Sequence, residues 1–121
     1  MRRLIHFVIA VACLLVASAA EAQQSDRPRI LIGVLSPLPA AAAARNNEAF
    51  RLALEKLGYS HGRDYSIEAR YADGAVERLA DLAAELVALK PDVILSGHPA
   101  GALAAAGATR TIPIVAVGIN D

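Results

Sequence analysis

The chain has 121 residues and carries 12 Lys and Arg against 12 Asp and Glu, with aromatic residues at 4% and no Trp. A net charge near zero and no basic stripe leave nucleic-acid binding without support. The length suits one modest domain, and the single cysteine, Cys13, has no second cysteine with which to form a disulfide.

The amino terminus reads as an export leader. Arg2 and Arg3 precede an almost wholly apolar run over 7–19, and Ala20-Glu21-Ala22 has the small-x-small form of a cleavage site. This is the pattern of a secretory signal peptide over 1–22, cut after Ala22. His6 and Glu21 bracket an apolar run too short for a comfortable membrane span. Leu14-Leu15-Val16 continue past Cys13, whereas a lipid-bearing cysteine should close the run. The expected product is a soluble periplasmic domain over 23–121 that has shed its only cysteine.

Polar residues 23–28 lead into a continuous apolar stretch over 29–35, the kind of strand a parallel sheet buries on both faces. Ser36-Pro37-Leu38-Pro39 ends it. Residues 40–57 read as a helix, with Phe50, Ala53, Leu54 and Leu57 on one apolar face and Gly58 as its stop. The stretch 65–71 alternates apolar and polar residues, which predicts a half-exposed strand at a sheet edge. Asp73-Gly74 turns the chain into a helix over 75–89, packed through Leu79, Leu82, Ala83, Leu86 and Val87. A short apolar strand at 93–95 stops at Ser96-Gly97-His98, and Pro99 is suited to the first position of an alanine-rich helix reaching Thr109. Residues 112–117 form a fourth strand. Four strands alternating with three helices predict an α/β, doubly wound parallel sheet in the order 2-1-3-4. The last strand has no helix after it, so the chain reads as the front part of something longer.

Ligands of open α/β sheets bind outside the carboxyl ends of the strands. Those ends present Ser36, Asp73, Ser96, Gly97, His98, Asn120 and Asp121, with the crevice expected between the first and third strands at Ser36 and Ser96. Backbone N–H groups at Gly97 and His98 are placed to hold a carboxylate at the start of the following helix. Each residue also has a plain structural role open to it: Ser36 and Ser96 as strand terminators, Asp73 or His98 as a helix cap, Asn120-Asp121 as a loop. No G-x-G-x-x-G follows the first strand, no G-K-[ST] loop occurs, and no G-x-S-x-G elbow surrounds either serine. His6, His61 and His98 are scattered, and Ser96 stands where a phospho-receiver would carry aspartate. No cofactor, metal or catalytic activity is expected.

Five stretches then occur in order: Arg29-Ile30-Leu31-Ile32-Gly33-Val34-Leu35-Ser36-Pro37; Leu57-Gly58-Tyr59 with Gly62-Arg63-Asp64; Leu82-Ala83-Ala84-Glu85-Leu86-Val87; Lys90-Pro91-Asp92-Val93-Ile94; and Thr111-Ile112-Pro113-Ile114-Val115. Together they resemble the ABC-transporter substrate-binding proteins of the tryptophan- and phenylalanine-binding type. The resemblance implies a Rossmann-like first lobe of a type I periplasmic binding protein. It also implies a small solute, such as an amino acid, as ligand, with a membrane permease and an ATPase as partners. Family members carry a small residue, glycine and threonine where this chain has Ser96-Gly97-His98, so a hydroxyl contact at His98 is not expected. Proteins of this family are far longer than this chain. The rival readings are a ligand-sensing module for a membrane receptor, an enzyme of flavodoxin-like architecture, and a fragment without function.

Overall fold

The structure, a computed structural model, describes residues 29–117. The expected leader over 1–22, and Asn120 and Asp121, lie outside the described residues. Four strands alternate with helices: β1 Ile30–Ser36, α1 Ala40–Lys56, β2 Tyr65–Tyr71, a 3-10 turn Val76–Arg78 running into α2 Leu79–Ala88, β3 Val93–Ser96, α3 Pro99–Ala108 and β4 Ile114–Ala116. All pairings are parallel and the order is β2-β1-β3-β4, as the alternation of elements predicts. Ile32 lies opposite Ile67 on one side and Val93 on the other, and Ile94 lies opposite Ile114.

Period-two alternation divides β1 and β3 between two faces. Leu35 and Ile94 point to the face covered by α2 and α3, where they meet Ala72, Leu79, Leu82, Ala83, Leu86 and Ala105 in the core. A side chain at Gly33 would point there too, into Leu86, Pro91 and Ile94. The apolar side predicted for the second helix is therefore the side buried. Burying one such leucine contributes about 1.5–3 kcal/mol. Ile32, Val34 and Leu95 point to the opposite face, which α1 covers in part.

Small residues let α3 approach the sheet closely. An added Cβ at Gly101 would overlap Ser96 Oγ and come within 3.0 Å of Leu35 O. At the amino ends of the strands, Asp92 Oδ2 accepts the Leu31 N–H at 2.7 Å while the Asp92 N–H donates to Leu31 O at 2.8 Å. This ring fixes β3 against β1.

Two expectations need correction. In α1 the buried residue is Ala43; Phe50 and Leu54 are half-buried, Ala53 is exposed and Leu57 is 73% exposed. The helix has the apolar spacing, but the main core forms on the other face of the sheet, leaving α1 little to pack into. The helix predicted over 75–89 begins instead as the 3-10 turn. Asp73 and Gly74 both take positive φ, 55° and 84°, and Gly74 N–H donates to Pro37 O at 2.8 Å, tying the turn to the end of β1. The chain then has a single tight turn in which to redirect itself onto the sheet.

Candidate functional site

At the carboxyl end of the sheet, a groove of about 630 Å³ opens between α1 and the β3–β4 side of the sheet. Ligand pockets commonly run from about 300 to 1,000 Å³. Val34 and Leu95 form its floor; Asn46, Asn47, Ala49 and Phe50 of α1 form one wall; Ser96-Gly97-His98 and Val117 form the rim. None of these residues is a carboxylate, Lys or Arg. The groove is an apolar trough with amides and backbone groups at its margins.

Three of the seven predicted residues line it: Ser96, Gly97 and His98. Gly97 is exposed and has open space around it; the first carbon of a side chain added there would lie 3.9 Å from Val117 O. His98 is extended, with φ −138° and ψ 142°, and occupies the N-cap position of α3 without a side-chain cap bond. Ser96 is 1% exposed, and its hydroxyl donates to His98 O at 3.1 Å while the His98 N–H approaches it at 3.5 Å. The serine thus braces the turn through the histidine's backbone, and this pairing does not activate it as a nucleophile.

Ser36 is not in the groove lining. It is 6% exposed and its Oγ accepts the Leu38 N–H at 3.1 Å, which closes the turn after β1. Asp73 is exposed at the end of β2. It caps neither the 3-10 turn nor α2, since the N-cap positions are Ala75 and Arg78 and neither start has a side-chain cap bond. The groove floor spans β1 and β3, where Val34 and Leu95 are register partners, while α1 and Val117 extend it to either side; Ser36 and Asp73 are not in its lining.

Sequence reasoning passed over Asn46 and Asn47 and read Phe50 as a packing residue of the helix rather than as part of the groove. Asn47 Nδ2 donates to Tyr71 Oη at 2.7 Å, which ties α1 to the end of β2 and orients the wall. An Asn-Asn pair three residues before Phe50, in the helix that follows the first strand, was the available signal. Two polar residues on a surface helix carry little information until the opposing face is known.

Among the described residues, no group of His, Cys, Asp or Glu is placed to hold a metal ion, and no helix is long and apolar enough to cross a membrane. Burial pushes the Tyr65 phenol up, Glu55 and Glu48 add to this, and Arg51 opposes it.

No family model matches the sequence and no curated protein matches it. Three solved structures are similar. A substrate-binding protein with adhesive properties from Clostridium difficile, solved ligand-free and open, shares 28% identity at a TM-score of 0.65, over 72% of this chain and 30% of that one. A conserved domain protein from Vibrio cholerae shares 24% at 0.71, over 78% of this chain and 32% of that one. An ABC domain in complex with L-Trp from Streptococcus pneumonia shares 22% at 0.69, also over 78% and 32%. The chain thus spans about a third of the length of the structures it resembles, and its fold matches a Rossmann-like lobe of a periplasmic binding protein.

Proposed function

We propose that this chain is the first lobe of a solute-binding component of an ABC importer, and that the carboxyl-end groove is its share of the ligand cleft. The observation that carries the reading is the position of that groove. It lies beside the β1–β3 switch point, where open α/β sheets receive ligands, and it is apolar inside with polar groups at the rim.

The ligand chemistry follows from the lining. An apolar or aromatic side group lies over Val34, Leu95 and Phe50. The polar end of the solute meets the Asn46 and Asn47 amides and the backbone at Gly97 and His98. The first turn of α3 has no side-chain cap, so its N–H groups and the helix dipole favour a carboxylate there by about 0.3–1 kcal/mol. An amino acid with a sizeable apolar side chain fits this description. The L-Trp held by the streptococcal neighbour has that chemistry.

Ser96, Gly97 and His98, which line the groove, are the residues proposed to contact solute, and Asn120 and Asp121 are assigned to the cleft from sequence position. The remaining wall would come from a second lobe, closing on the solute and excluding water. A periplasmic location, a permease and an ATPase complete the proposal. A single lobe offers one wall, so affinity in the millimolar range, roughly −4 kcal/mol, is expected of this chain.

The test is a ligand-observed NMR screen of the twenty amino acids against the full chain. Saturation transfer to aromatic and large aliphatic amino acids, and not to Asp, Glu or Lys, is expected. Selective transfer to the charged amino acids would contradict the assignment.

A further inference from the structure

The two asparagines on the α1 wall of the groove are not equivalent. Asn46 is exposed and its side chain makes no hydrogen bond among the described residues. Its amide therefore turns freely and presents N–H or C=O, whichever a solute requires. Asn47 is half-buried, and its Nδ2 donates to Tyr71 Oη at 2.7 Å. Tyr71 is the last residue of β2 and is not in the groove lining. The Asn47 amide is thus set from outside the groove, by a neighbouring strand.

That setting gives the wall a polarity. With Nδ2 turned to the tyrosine, Oδ1 is left on the other side of the amide carbon. It accepts no hydrogen bond among the described residues and is not buried. An amide oxygen accepts and cannot donate, so this position takes an N–H and turns away a carboxylate. No Asp or Glu lines the groove to take a cation in its place, and the Ser96 hydroxyl is already committed to His98 O. The start of α3, by contrast, offers backbone donors.

We propose that Asn47 Oδ1 accepts the ammonium group of the solute, and that Tyr71 is the positioning residue that makes the groove prefer a zwitterion to a plain carboxylic acid. This rests on the solute-binding reading above and adds to it that the ligand carries a protonated amine. The carboxylate meets donors at the start of α3 and the amine meets an acceptor on α1. The two groups of one solute are told apart by different margins of the groove.

The experiment is a backbone-amide NMR titration of the full chain at pH 7 with L-phenylalanine and with 3-phenylpropionate, which has the same ring and carboxylate but no amine. A hydrogen bond to a charged group is worth about tenfold or more in affinity, so phenylalanine should bind about tenfold more tightly. Tyr71→Phe keeps the ring and removes the acceptor of the Asn47 N–H. It should weaken phenylalanine about fivefold and leave 3-phenylpropionate unchanged, whereas a merely structural tyrosine would weaken both alike. Asn47→Asp keeps an oxygen toward the groove, lets Tyr71 Oη donate to it and adds a negative charge. It should widen the preference for phenylalanine beyond tenfold, and it supplies the test if Tyr71→Phe does not fold. Equal binding of the two solutes at the groove, tighter binding of 3-phenylpropionate, or equal losses in Tyr71→Phe would overturn the proposal and leave the solute reading standing. Groove shifts with neither solute would overturn both.

Discussion

Gly101 and Gly107 lie six positions apart in α3, and alanine should act on them in opposite directions. In a helix alanine is favoured over glycine by about 0.8–1 kcal/mol, so on propensity alone both substitutions stabilise. At Gly107 nothing lies within 4 Å of the new methyl, and a gain of about 0.5–1 kcal/mol is expected. At Gly101 the methyl overlaps Ser96 Oγ and crowds Leu35 O at 3.0 Å. Neither can retreat easily, because Leu35 O belongs to the central strand and Ser96 is buried in β3. Overpacking of this kind costs about 1–3 kcal/mol, which offsets the propensity gain and leaves a net loss of up to about 2 kcal/mol. The two variants should therefore differ by about 2 kcal/mol in urea unfolding, or roughly 10 °C in Tm for a domain of this size. Adding Ser96→Ala to Gly101→Ala removes the hydroxyl overlap and should recover part of the loss. If Gly101→Ala were as stable as Gly107→Ala, the close seating of α3 on the sheet would be refuted.

The remaining predictions concern the core, the strand ends and one buried phenol. Leu86 is fully buried between α2 and the sheet, so Leu86→Ala should cost about 2–5 kcal/mol, seen as a lower urea midpoint or an unfolded circular-dichroism spectrum. Asp92→Ala removes the acceptor for the Leu31 N–H and should cost about 1 kcal/mol by urea unfolding. The Tyr65 hydroxyl is buried without a hydrogen-bond partner, so Tyr65→Phe should be neutral or stabilising by up to about 1 kcal/mol. Because burial raises the phenol pKa in the fold, the neutral form is favoured there. The resulting stability is complete below about pH 10 and falls as pH rises toward the folded-state value. The wild type should lose more stability than Tyr65→Phe in that alkaline window, measured as the difference between their urea midpoints.

The sheet is legible in the sequence because its signals are local. The 65–71 alternation marks an edge strand, and β2 occupies that place over the same residues. Gly58 as a helix stop is realised with φ 92°. Its N–H reaches Glu55 O and the Tyr59 N–H reaches Leu54 O, each at 3.0 Å. What sequence does not supply is the allocation of helices to faces. The spacing of Phe50, Ala53, Leu54 and Leu57 is a sound helical stripe, yet burial depends on what stands opposite, and the packed core lies beyond the sheet. The same ignorance hides the groove wall. Asn46 and Asn47 acquire meaning when Leu95 and His98 are placed across from them. Ser96-Gly97-His98 can be read directly because the strand-turn-helix junction is encoded in consecutive residues. The same logic points to Ser36, but its hydroxyl is committed to the Leu38 N–H.

The central claim, that the carboxyl-end groove receives a solute, is tested most directly by a backbone-amide NMR titration of the full chain with L-tryptophan, beside the variant Gly97→Leu. Gly97 lines the groove, its φ lies outside the left-handed region, and a first side-chain carbon meets just Val117 O at 3.9 Å. The leucine should therefore fill the trough while Tm stays within a few degrees of the wild type. The account predicts shifts centred on Asn47, Gly97 and His98 in the wild type and their loss in Gly97→Leu. Shifts that persist in the variant, or that map to the amino end of the sheet, would contradict it.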